Sequence, residues 1–160
     1  MLIVRNEEQG SYGRFLVKAV QKLRSKNVRQ IAVICHAESY WEELETSFQK
    51  SELPLHVICQ RGERIAPDQP LVVLSRPAFI GGQEFDAVVL VGLEQGVVPP
   101  RVVDNPALAA ALEQQVLREV YLSISRSRFR VIVSLNSGAT PNGVLTEALE
   151  AGLLREGSIE

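Results

Sequence analysis

The chain has few lysines, and their placement is informative. All four, Lys18, Lys22, Lys26 and Lys50, follow residues other than glycine. A self-sufficient P-loop nucleotidase needs G-x-x-x-x-G-K-[ST], where backbone amides cradle the phosphates, the lysine neutralises them and the hydroxyl holds magnesium. No such motif exists here, so the chain is not a complete ATPase by itself. Cysteine is also scarce: Cys35 and Cys59 each end a β-branched run and have no cysteine or histidine nearby at zinc-ligand spacing. Both read as reduced core thiols, and no metal site is expected. No apolar run approaches a membrane span, and the first residues lack the regions of a signal peptide. A cytoplasmic protein is expected. Nor is there a global positive field: net charge is -2 and the pI is about 5.8, so any contact with nucleic acid must be local. The dinucleotide fingerprint G-x-G-x-x-G is missing too, which ranks a small-molecule-binding domain of another family last.

The 160 residues with 46% hydrophobic content suffice for one packed domain, read as 1–160. Short β-branched runs alternate with segments of helical period, which predicts α/β architecture with a mainly parallel sheet flanked by helices. Leu2-Ile3-Val4 reads as a strand. From Gly13 to Leu23, residues Phe15, Leu16, Ala19, Val20 and Leu23 share a helical face. The strand Ile31–Cys35 follows, then a helix opened by a capping box of Ser39 and Glu42, with Trp41, Leu44 and Phe48 turned inward. Pro54 ends it before the strand Leu55–Cys59. A polar loop from Gln60 to Pro70, carrying Gly62 and Pro67, runs into the strand Leu71–Leu74. The run Ala87–Gly92 is apolar throughout, as expected of a central strand covered on both faces. A long helix from Pro106 to about Ser125 has Asp104 or Asn105 as cap and a buried stripe of Leu117, Val120, Tyr121 and Ile124. The strand Arg130–Leu135 and a helix begun at Thr140-Pro141 and ended near Gly152 complete the pattern.

Two segments carry more specific information. Residues 82–99, GQEFDAVVLVGLEQGVVP, pair a glycine turn with an apolar strand and a second glycine-proline turn. About twenty residues later, residues 118–128 read REVYLSISRSR and run into a strand. The first segment resembles motif V of the UvrD/Rep-type superfamily 1 DNA helicases, usually G-L-E-F-D, an apolar strand and G-L-E-E-G-x-x-P. The second resembles their motif VI, usually R-x-x-Y-V-A-x-T-R-A-R. The likeness extends more faintly to residues 31–48, which resemble the surroundings of motif IV, and to residues 141–149.

The resemblance implies a three-layer RecA-like domain that lacks the P-loop, the second motor domain of an ATP-dependent helicase. It implies a partner: a first RecA-like domain, in the same or a separate chain, holding ATP with magnesium. Arg126 would be the arginine finger, reaching the γ-phosphate as charge spreads over its oxygens. Glu84 would approach the nucleotide sugar, Gly82 would let the backbone come close, and Arg118 would abut the cleft. Ser75 or Arg76 would contact single-stranded DNA. By residue type alone the bland alternatives stand beside these roles. Arg126, Arg128 and Arg130 also fit a solvated basic helix end, Glu84 a surface carboxylate, Gly81-Gly82 a plain turn, and Trp41 and Tyr121 core packing. His36 and His56 read as structural.

The sequence departs from the motifs in three places. Glu42 stands where motif IV ends in a phosphate-contacting arginine, and a carboxylate there would repel phosphate. Ala78 and Gly81 replace the histidine and lysine of T-x-H-x-x-K-G. These changes motivate a second expectation: a degenerate helicase-like domain serving as a non-catalytic scaffold or protein-interaction module.

Overall fold

A computed structural model describes residues 1–6, 11–66 and 69–159; Pro67 of the expected loop lies outside them. Among the described residues seven strands form one parallel sheet: β1 (Leu2–Arg5), β2 (Gln30–Cys35), β3 (Leu55–Val57), β4 (Leu71–Ser75), β5 (Phe85–Val91), β6 (Ser127–Leu135) and β7 (Arg155–Glu156). Their order is β3-β4-β2-β5-β6-β1-β7. The apolar run around Val88 therefore lies mid-sheet, with β2 and β6 as neighbours.

Among the described residues four α-helices cover the sheet: α1 (Tyr12–Ser25), α2 (Glu38–Gln49), α3 (Pro106–Ile124) and α4 (Gly143–Glu150). The period of two along β2 separates its faces. Ile31, Val33 and Cys35 join Leu16, Val20, Leu44 and Phe48 of α1 and α2. Ala32 and Ile34 join Val116, Val120 and Leu145 of α3 and α4. The result is three layers, helix on sheet on helix. Each fully buried leucine or phenylalanine of this kind contributes about 1.5–3 kcal/mol through removal from water.

Several local expectations shift. Helix α2 begins at Glu38, after Ala37, with no side-chain cap; Ser39 and Glu42 form no capping box. The entry is set by tertiary contacts instead. His36 N–H donates to Val91 O at 2.8 Å. Gly92, at φ +85°, leaves room for Ala37, whose Cβ lies 2.5 Å from where a residue-92 Cβ would stand. Helix α3 does start on Asn105, whose side chain accepts from Leu108 N–H. Its buried positions are Val116, Val120 and Ser123, while Leu117 is exposed and Tyr121 is 75% exposed. The stripe is rotated by about one residue because Ser123, not Tyr121, packs toward His36. Helix α4 starts at Gly143 rather than Thr140, since Pro141 bridges Glu94 in extended form and Asn142 caps Leu145 N–H. The third strand stops at Val57, Cys59 is exposed rather than a core thiol, and β7 is an added strand beside β1.

Candidate functional site

Strands β5 and β6 begin side by side, and the turns preceding them are joined where Phe85 N–H donates to Arg126 O at 2.8 Å. That pairing draws residues 81–85 and 125–128, parts of the two motif segments, to the end of the sheet where the parallel strands begin. Between them and the loop after β3 lies a cleft of about 680 Å³, lined by Gly82, Gln83, Glu84, Arg64, Arg126 and Arg128 among others. Gly82 turns with φ +80°, a backbone state that favours glycine. Its side is open, with nothing within 4 Å of the place a Cβ would occupy.

The charges in the cleft are unevenly satisfied. Glu84 accepts a hydrogen bond from Arg128 Nε at 3.2 Å. Glu63 accepts from Cys59 N–H, which chiefly holds its carboxyl below the usual range, and lies 2.6 Å from His56 Nε2. Arg126 is half-buried, and its guanidinium donates to Ser125 Oγ at 3.1 and 3.3 Å. It has no carboxylate partner among the described residues. A cleft with three arginines and two already engaged glutamates suits an anion.

Sequence reasoning missed one wall. The Gln83 side chain donates to Glu63 O at 2.6 Å and accepts from Ile65 N–H at 3.2 Å, tying the loop of residues 63–65 against the cleft. The signal was present in the motif itself, where Gln83 occupies a position usually held by leucine. Three other anticipated residues lie outside the cleft. Arg118 is exposed on α3, donating to Gln114 O, and does not line the cleft. Ser75 ends β4 and Arg76 follows it, at the opposite end of the parallel strands. Ser75 is fully buried and its hydroxyl donates to Arg76 O. Arg76 is bidentate to Glu38, with Nε 2.7 Å from Oε2, and its guanidinium stacks 3.7 Å above the Trp41 ring. Trp41 is buried as expected, whereas Tyr121 is not.

His36 sits where β2 meets α3. Its Nε2 lies 3.3 Å from Ser123 Oγ, its Nδ1 is buried without a partner, and burial pushes its pKa down to about 4. Glu94, only 2% exposed, accepts from Asn136 N–H with one oxygen, and burial raises its pKa. Among the described residues no group of three or more His, Cys, Asp or Glu side chains is placed to hold a metal ion. No described helix is long and apolar enough to cross a membrane.

No family model and no curated protein matches the sequence. Solved structures do. The chain is similar to the C-terminal domain of a possible DNA helicase from Lactobacillus plantarum WCFS1, at 17% identity and a TM-score of 0.64, over 97% of this chain and 82% of that one. The fold is RecA-like. A second likeness, to the SWI2/SNF2 ATPase core of Sulfolobus solfataricus in complex with dsDNA, has 14% identity and a TM-score of 0.51. It covers 84% of this chain but 27% of the other. Both likenesses are of the fold alone.

Proposed function

We propose that this chain is the second RecA-like motor domain of an ATP-dependent superfamily 1 DNA helicase of the UvrD/Rep kind. The observation that carries the reading is the convergence of Gly82, Glu84 and Arg126 on one anion-suited cleft while no P-loop is present. ATP with magnesium would be held by a partner first RecA-like domain, whose phosphate-binding loop supplies what this chain lacks. Arg126 would complete the site in trans, its planar guanidinium neutralising charge on the γ-phosphate oxygens. Glu84 would accept hydrogen bonds from the nucleotide sugar, steadied by Arg128, and Gly82 would let the backbone come close. Closing the two halves on ATP and releasing them after hydrolysis would step the motor along single-stranded DNA.

The deciding experiment joins the chain to a matching P-loop domain and follows ATP turnover with and without Arg126→Ala. Loss of turnover on joining the variant supports the reading. ATP hydrolysis by the chain alone, or full turnover by the Arg126→Ala complex, sinks it.

A second reading has its own support. The cation expected to meet nucleic acid, Arg76, is already held by Glu38 and Trp41, Ser75 is buried, and Glu42 is an exposed carboxylate on α2. These features favour a helicase-like domain kept as a scaffold or interaction module. In that case the joined protein would show no DNA-dependent increase in ATP turnover.

A further inference from the structure

Arg64 lines the cleft from the loop after β3, the wall across from residues 81–85 and 125–128. It is exposed and has no carboxylate partner among the described residues. What sets it apart from an ordinary surface arginine is how its backbone is held. The Gln83 amide grips the main chain on both sides of it, accepting from Ile65 N–H at 3.2 Å and donating to Glu63 O at 2.6 Å. The adjacent side chains are anchored as well. Glu63 reaches back towards β3, where its carboxylate accepts from Cys59 N–H at 3.1 Å and lies 2.6 Å from His56 Nε2. Ile65 packs against the core on the α3 side of the sheet. With both neighbours committed, the Arg64 side chain is left to the cleft. Arg61, on the same loop, is exposed and does not line it.

The charges then count in one direction. Arg128 is paired with Glu84, and Glu63 is engaged by His56 and the Cys59 N–H. Two guanidinium groups, those of Arg64 and Arg126, remain without a carboxylate among the described residues. Two uncompensated cations on separate walls of one cleft match an anion whose charge is spread along its length. A single carboxylate would satisfy one and leave the other.

We propose that Arg64 is a second phosphate-binding arginine, meeting the same polyphosphate as Arg126 from the other wall, and that Gln83 is the residue that positions it. A strapped backbone lowers the cost of ordering a long side chain on its ligand. Leucine, usual at this position in the motif that the segment resembles, has no amide with which to hold the loop. That the anion is a phosphate chain rests on the nucleotide reading; that Gln83 acts through Arg64 does not.

The test titrates inorganic tripolyphosphate into the whole chain at low salt, followed by calorimetry. Arg64→Ala should weaken binding about tenfold, the scale of one lost charge-assisted contact. Gln83→Leu should weaken it severalfold, and the double variant should bind no more weakly than Arg64→Ala, because the two act as a unit. Arg61→Ala, which removes the same charge outside the cleft, should keep nearly the original affinity. Arg64 is exposed, so its loss leaves the fold intact, and melting curves check this for every variant. Unchanged affinity in Arg64→Ala beside a loss in Arg126→Ala overturns the proposal and leaves the nucleotide reading standing. A loss in neither variant counts against both. Equal losses in Arg61→Ala and Arg64→Ala reveal a diffuse charge effect and overturn the proposal, as does no binding at millimolar tripolyphosphate. Additive losses in the double variant overturn the role given to Gln83.

Discussion

Glu84 and Arg128 face each other across the mouth of the cleft at 3.2 Å, while Arg126, two residues earlier, has no carboxylate to neutralise it among the described residues. One guanidinium is spent on a neighbour and the other is left for a ligand. In a joined protein, Arg126→Ala should cut ATP turnover by about a thousandfold, the scale of arginine-finger loss. Its effect on thermal stability should stay within about 0.5 kcal/mol, as for a surface side chain. Steady-state kinetics with a parallel melting curve would check both.

Breaking the Glu84–Arg128 pair should do the reverse of what its closeness suggests for stability. Both side chains are well exposed, so the pair contributes at most about 1 kcal/mol. Glu84→Ala should leave folding nearly unchanged and weaken nucleotide binding by the joined protein severalfold. A loss of several kcal/mol by denaturant titration, with nucleotide binding intact, would contradict this account.

At the other edge, Glu38 holds Arg76. The hydrogen bond from Arg76 keeps the Glu38 carboxyl below its ordinary 4.5. A depressed carboxylate stabilises above its unfolded value and loses that contribution as pH falls through the folded one, so the contact is complete at neutral pH and opens only in acid. Glu38→Ala should therefore raise affinity for single-stranded oligothymidylate severalfold at low salt, and the added Arg76→Ala change should abolish the gain. Equal affinity in all three proteins would show that Arg76 has no part in nucleic-acid contact.

His36 predicts a pH dependence. Its pKa falls from 6.5 to about 4 through burial. Between those values the unfolded chain binds a proton that the folded chain does not, so stability falls as pH drops from 6.5 towards 4. The full effect is about 3 kcal/mol at 1.36 kcal/mol per unit. A His36→Gln variant should show a flatter stability profile over that window. Glu94, whose pKa is raised, acts in the opposite sense and costs stability as pH rises through its folded value. An unchanged slope in the histidine variant would be the contrary result.

Gly92→Ala should be the most damaging of these changes to the fold. The new Cβ would stand 2.5 Å from Ala37 Cβ and 2.7 Å from its N, at a φ of +85°. Overpacking against backbone and an unfavourable dihedral together cost about 2–4 kcal/mol. Chemical denaturation would measure it.

Sequence alone determined the α/β alternation, the central strand around Val88, a cap at Asp104 or Asn105 and the absence of a P-loop. Each is local: β-branched runs, helical period and a missing short motif are readable without neighbours. The association of Gly82, Glu84 and Arg126 was legible only through the likeness of two motifs, because nothing in their spacing states that β5 and β6 begin side by side. Tertiary structure alone decided what surrounds them. The Ser39–Glu42 box was displaced because the Ala37–Gly92 contact starts α2 earlier. Tyr121 turned outward because Ser123 took the place against His36. Arg118 fell outside the cleft, since helix phase sets direction as well as position, and Ser75, expected at nucleic acid, was buried at the end of β4.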